Sequence, residues 1–143
     1  MTADVLPVYG PTNPVKAEGG VIRYGSVIGL DLKREQVYRK LHADVWPAIL
    51  DRLHLSSVRN YSIFVAQLEG RKYLFSYFEY VGDDFAADMR KIAEDPATQE
   101  WWTHTDPCQQ RLPGTADGEQ WLNLESVFFS ALSAITDPSP GAG

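Results

Sequence analysis

Tyr38, His42 and Trp46 stand four residues apart in the stretch Tyr-Arg-Lys-Leu-His-Ala-Asp-Val-Trp-Pro, 38–47. His42 is the member able to exchange protons at neutral pH, because a free imidazole titrates at about 6.5. Positions i and i+4 share a helix face, so one continuous helix would stack the three rings in a column. Val37, Leu41, Val45 and Ile49 form the neighbouring column. Arg39, Lys40, Asp44 and Asp51 fall toward the solvated side. The inward arc then holds an ionisable ring between two aromatic ones. Two readings fit His42: a core histidine hydrogen-bonded to a neighbour, or a general acid or base in a pocket.

Two further places carry side chains suited to a ligand. Tyr61 lies between Asn60 and Ser62. On a strand it either packs or turns its hydroxyl to a substrate, where a phenol can donate, accept or polarise a proton. Tyr38 has the same two options. Trp101 and Trp102 are adjacent, and neighbours on a helix point about 100° apart. One indole packs while the other lines a cavity, or both anchor a lid. Indole faces stack on the C–H patches of sugar rings, and a hollow of Trp, Tyr and His suits a neutral sugar. His54 and His104 make no metal-ligand spacing with His42. There is no phosphate loop, nucleophile elbow or dinucleotide fingerprint.

These side chains need elements to hold them. Val21–Leu30 alternates as a strand, with Ile22, Tyr24, Ser26, Ile28 and Leu30 on one side. Gly25 and Gly29 on the other side leave room for close packing. A helix is predicted over 33–53, kinked or broken at Pro47, which lacks an N–H and crowds the carbonyl of Ala43. Val58–Gln67 and Lys72–Tyr80 read as a hairpin turning at Glu69-Gly70-Arg71. Asp83 or Asp84 caps a helix over 85–94. Asp95-Pro96 starts a short helix through Trp102, and Asp106-Pro107 ends it. A loop over 109–119 leads to a last strand, Trp121–Phe129. Residues 1–20 read as an irregular arm, 21–130 as the folded domain and 131–143 as a Pro-rich tail.

The order β-α-β-β-α-β is that of an α+β, ferredoxin-like split βαβ fold. Its strands are apolar on both sides. The face away from the helices needs cover, and a second copy is the expected cover, giving a homodimer. At 143 residues, with 44% hydrophobic residues, the chain can build one real core. The net charge of −6 argues against nucleic acid or anionic lipid as partner. The single cysteine, Cys108, excludes an intrachain disulfide and fits a reducing compartment. No apolar run approaches the roughly 20 residues of a membrane span, and no signal peptide is evident, so a cytoplasmic protein is expected.

Taken together, Tyr38-x-x-x-His42-x-x-x-Trp46-Pro47, Asn60-Tyr61-Ser62-Ile63, Trp101-Trp102 and Glu125-Ser126-Val127-Phe128 resemble the L-rhamnose mutarotase family in order, over roughly 23–129. The resemblance implies a homodimeric α+β barrel that interconverts the α and β anomers of a free pyranose without a cofactor. It implies His42 as proton donor, and Tyr38, Tyr61, Trp101 and Trp102 as sugar-binding residues. In that chemistry His42 is expected to protonate the ring oxygen. Tyr61, a water or another polar side chain is expected to handle the anomeric hydroxyl. Other readings share parts of the pattern: a mutarotase for L-fucose or another aldose, a dimeric α+β-barrel oxygenase or haem-binding protein with His42 as axial ligand, and a non-catalytic sugar-binding module.

Overall fold

A computed structural model describes residues 20–129. The expected tail, and all of the expected arm but Gly20, lie outside the described residues. The sheet is built on β1 (Ile22–Leu30), whose whole length pairs antiparallel with β3 (Arg71–Tyr80), from Ile22 opposite Tyr80 to Leu30 opposite Lys72. β2 (Val58–Leu68) flanks β3. Two short segments, β4 (Gln109–Gln110) and β5 (Leu122–Asn123), share the other edge of β1. The strand order is β2-β3-β1-β4, with β5 also on β1. Gly29 is needed for this edge, since a Cβ there would sit 2.9 Å from the Gln110 carbonyl oxygen.

The β2–β3 hairpin turns through Glu69 and Gly70, at φ 51° and 80°. Two left-handed residues make the tight turn whose twist matches the strands it joins. Nearer the start of β2 the register slips between Arg59 and Ser62. Asn60, at φ 52°, is in the bulge. Val58 lies opposite Tyr80 and Ile63 opposite Ser76. Those partners are four residues apart and share a face, whereas Val58 and Ile63 are five apart. The extra residue reconciles the two spacings and brings Tyr61 onto the face of Ile63.

The predicted long helix is two helices. α1 (Glu35–Ala43) stops where Asp44 leaves helical geometry, and α2 (Pro47–Leu55) starts with Pro47 in its first turn. A proline there loses nothing, because that N–H has no partner within the helix. The break corrects the predicted column: Trp46 caps α2 and does not continue α1. Val37, expected to face inward, is 50% exposed, while Tyr38 and Ile49 are buried. Farther along, Asp84 accepts from the Ala87 N–H at the start of α3 (Phe85–Glu94), and Asp95 accepts from the Thr98 N–H at the start of α4 (Pro96–Thr105). Both are N-caps of the type read from the sequence.

The core lies between the helices and one face of the sheet. Ile28, Leu30, Leu74, Tyr38 and Cys108 form one cluster; Tyr24 and Tyr80 form another, against Phe78 and Phe85. The Tyr80 hydroxyl donates to Asp88 and accepts from the Asp84 N–H, fixing the start of α3 to the sheet.

The last predicted strand is mostly absent. Among 121–129 only Leu122 and Asn123 join the ladder, followed by one bond from the Leu124 N–H to the Gly25 carbonyl. Leu124 packs where Gly25 has no side chain, and the chain then crosses the outer face until the Phe129 ring lies 3.9 Å from the Arg23 guanidinium carbon. Phe64, on the outer face, is 61% exposed, and Phe128 in the crossing segment is 83% exposed. Among the described residues no helix is long and apolar enough to cross a membrane.

Candidate active site

A cavity of about 530 Å³ opens between the sheet and the helices. It falls within the range of roughly 300–1,000 Å³ usual for small-molecule sites. His42, Tyr38, Tyr61, Trp101 and Trp102 all line it, so the fold gathers every site residue expected from the sequence. α1 supplies Tyr38 and His42, the bulged strand β2 supplies Tyr61, and α4 supplies the two tryptophans.

His42 is held from three sides. Its ring stacks on Tyr38 with centroids 4.2 Å apart, and the Trp101 indole meets it edge-on at 5.4 Å. Its Nδ1 lies 2.9 Å from the Tyr38 backbone carbonyl. A carbonyl only accepts, so Nδ1 donates, and the neutral ring carries its lone pair on Nε2. Burial lowers the pKa of His42, with the Tyr38 carbonyl acting the other way. At neutral pH the imidazole is therefore uncharged, and its Nε2 is a proton acceptor.

The two phenols stay protonated. Burial pushes Tyr38 well above the usual tyrosine range, the nearby Tyr61 adding to the rise and a hydrogen bond with Gln109 opposing it. Tyr61 is 43% exposed as a whole residue, yet burial raises its phenol as well. Both hydroxyls are donors at any pH near neutrality.

The tryptophans divide the tasks open to them. Trp101 is 6% exposed and packs edge-on against Trp46 at 5.0 Å, so Trp46 joins the aromatic group through α4. Trp102 is 38% exposed and presents its ring at the cavity. His104 sits outside, 3.4 Å from Glu100 and against the edge of Trp46.

Several cavity residues were not singled out from the sequence. Phe78, Phe85, Met89 and Ile92 make an apolar wall. Asp106, Gln109 and Asn123 make a polar one, and burial raises the Asp106 carboxyl. Ser26 and Ser76 meet on the floor. A lone serine on the apolar side of the first strand was the one local signal for that floor. Among the described residues no group of three His, Cys, Asp or Glu side chains could hold a metal ion.

Comparison with known proteins gives one answer. The profile of the L-rhamnose mutarotase family matches residues 23–130. An L-rhamnose mutarotase of Lactiplantibacillus plantarum is 31% identical over 109 residues, covering 73% of this chain and 100% of the relative. One from Listeria monocytogenes is 33% identical over 109 residues, covering 76% and 98%. A crystal structure of an L-rhamnose mutarotase from Formosa agariphila superposes with a TM-score of 0.57 at 24% identity, covering 76% of this chain and 98% of that one. That last likeness speaks for the fold.

Proposed function

The chain belongs to the L-rhamnose mutarotase family, and we propose that it interconverts the α and β anomers of free L-rhamnose through proton transfers centred on His42. The observation that carries this reading is the gathering of a neutral imidazole, two protonated phenols and two indoles around one cavity of sugar size.

Opening a pyranose hemiacetal removes a proton from the anomeric hydroxyl and delivers one to the ring oxygen. Neutral His42 is ready to accept, so Nε2 takes the anomeric proton as the C1–O5 bond breaks. The Tyr61 phenol donates to the ring oxygen, on which negative charge develops; a donor with a raised pKa matches a departing alkoxide. The open aldehyde turns about C1–C2. On closure the transfers reverse: Tyr61 recovers its proton from O5–H, and the His42 imidazolium returns its proton to O1. The cycle leaves both residues as they began. His42 is thus the donor of the second half-reaction. This order differs from the sequence-based expectation, because the Tyr38 carbonyl occupies Nδ1 and burial keeps the resting ring neutral. Tyr38 orients His42, Asp106 accepts from ring hydroxyls, and Trp102 stacks on the sugar.

A second copy of the chain covers the outer sheet face in this reading. Phe64, Val127 and Phe128 would be buried there, which suits their exposure of 61%, 91% and 83% in the single chain.

Exchange NMR between the two anomers tests the function. The protein should accelerate exchange of L-rhamnose above the buffer rate, and more than that of L-fucose or D-glucose. Exchange at the buffer rate for every aldose would contradict it.

A further inference from the structure

The cavity floor carries a polar row in an apolar field. Cross-strand partners share a sheet face, so the register identifies the row. Ile63 of β2 is opposite Ser76 of β3, Ser76 is opposite Ser26 of β1, and Ser26 is opposite Asn123 of β5. All four residues line the cavity. The rows to either side on that face pair Tyr24 with Phe78 and Ile28 with Leu74.

Two serines in such a field call for a physical reason. Ser76 is 6% exposed, and alanine or valine would have continued the apolar rows at no desolvation cost. The serine hydroxyls lie 2.5 Å apart, and one O–H donates to the other oxygen. Two hydroxyls hold two hydrogens, and their mutual bond uses one. One donor and several lone pairs remain for the cavity. Asn123 extends the row with an amide that offers two donors and an acceptor. The sheet register sets all three side by side on one face, so the polar atoms come in a set order.

We propose that Ser76, Ser26 and Asn123 form a specificity row that reads the ring hydroxyls of a neutral aldopyranose laid with hydroxyls toward the sheet. The inference rests on the mutarotase reading and adds to it which groups choose among sugars. His42 and Tyr61 act on the anomeric hydroxyl and ring oxygen, which all aldopyranoses share. The apolar wall meets only C–H groups of the sugar, whereas an analogue lacking a hydroxyl that the row hydrogen-bonds leaves that row's polar atoms unpaired.

A cycle that deletes hydroxyls from both sides tests the row. Anomer-exchange kcat/KM is measured for L-rhamnose and its 2-, 3- and 4-deoxy analogues with wild type, Ser26→Ala/Ser76→Ala and Asn123→Ala. Folding is checked by thermal melting; should the double variant fail to fold, Ser26→Ala takes its place. In the wild type, at least one deoxy position should cost about tenfold, the upper range for one neutral hydrogen bond. In the serine variant L-rhamnose itself should fall by about as much, and deleting that same hydroxyl should cost nothing further. Penalties that multiply independently at every position, or variants that match the wild type, would overturn the row while leaving the mutarotase reading intact. Wild-type exchange at the buffer rate for all sugars would contradict the mutarotase reading. The same cycle read as binding affinity then decides the row: coupling at one position supports it, and additive losses or no sugar binding overturn it.

Discussion

A single hydrogen bond sets the state of the central imidazole. With Nδ1 donating to the Tyr38 carbonyl, only Nε2 remains to meet a sugar, and burial lowers its proton affinity. The sign follows for the pH profile. In the proposed mechanism neutral His42 is the working form for ring opening, so kcat/KM should be flat above pH 7 and fall at acid pH, as the pH drops through a pKa lowered from 6.5 by burial. Rates are measured by anomer exchange and corrected for spontaneous mutarotation. A rate that falls between pH 6 and pH 8 would make the imidazolium the working form. Tyr61→Phe removes the proposed donor to the ring oxygen and should lower kcat by about 10²–10³-fold, as loss of one donor to a developing oxyanion does. An unchanged kcat would make Tyr61 a packing residue. The two tryptophans should separate in one experiment. Trp101→Ala empties a buried site and should cost about 3–5 kcal/mol of stability in denaturant unfolding. Trp102→Ala should leave the unfolding midpoint nearly unchanged and raise KM, by up to about tenfold if stacking contributes about 0.5–1.5 kcal/mol.

At the scale of elements, irregularities place the chemistry. The Asn60 bulge turns Tyr61 to the cavity, and the Asn60 amide donates to Glu79, which also accepts from the Tyr77 hydroxyl. A β-branched residue resists the left-handed backbone. Asn60→Val should therefore cost about 1–3 kcal/mol and reduce kcat together with stability. Asn60→Gly should keep most of the activity; equal activity in both variants would show that the bulge does not position Tyr61. These details also mark how far the sequence could be read. Tyr38 and His42 were legible as neighbours, because i and i+4 contacts depend on one helix alone. Trp46 was drawn into their column because its four-residue spacing persists through Asp44 and Val45, where the helix stops. It reaches the aromatic group by way of Trp101, a contact between elements that no local spacing encodes. Ser26 and Ser76 are fifty positions apart, and their meeting depends on the register of β1 against β3. The final strand was over-read for a related reason: 124–129 has strand-like residues, but Gly25 lets Leu124 turn across the sheet face.

At the scale of the whole molecule, one sheet face lines the candidate cavity and the other carries exposed apolar residues on β2. Phe64 on β2 and Phe128 on the crossing segment are both largely exposed, on a chain of net charge −6. Light scattering on the purified protein should give twice the chain mass, and Phe64→Asp with Phe128→Asp should give the single chain mass. A wild type that stays monomeric at micromolar concentration would leave that face without its second copy.

The central claim is that His42 moves the proton that opens and closes the sugar ring. Its most direct test compares anomer exchange of L-rhamnose between wild type and His42→Ala, with sugar binding followed in parallel. The variant should still bind, and its catalysed exchange should fall by about 10²–10⁴-fold, the usual range for loss of a positioned acid–base group. Exchange at the wild-type rate in a folded, sugar-binding His42→Ala protein would contradict it.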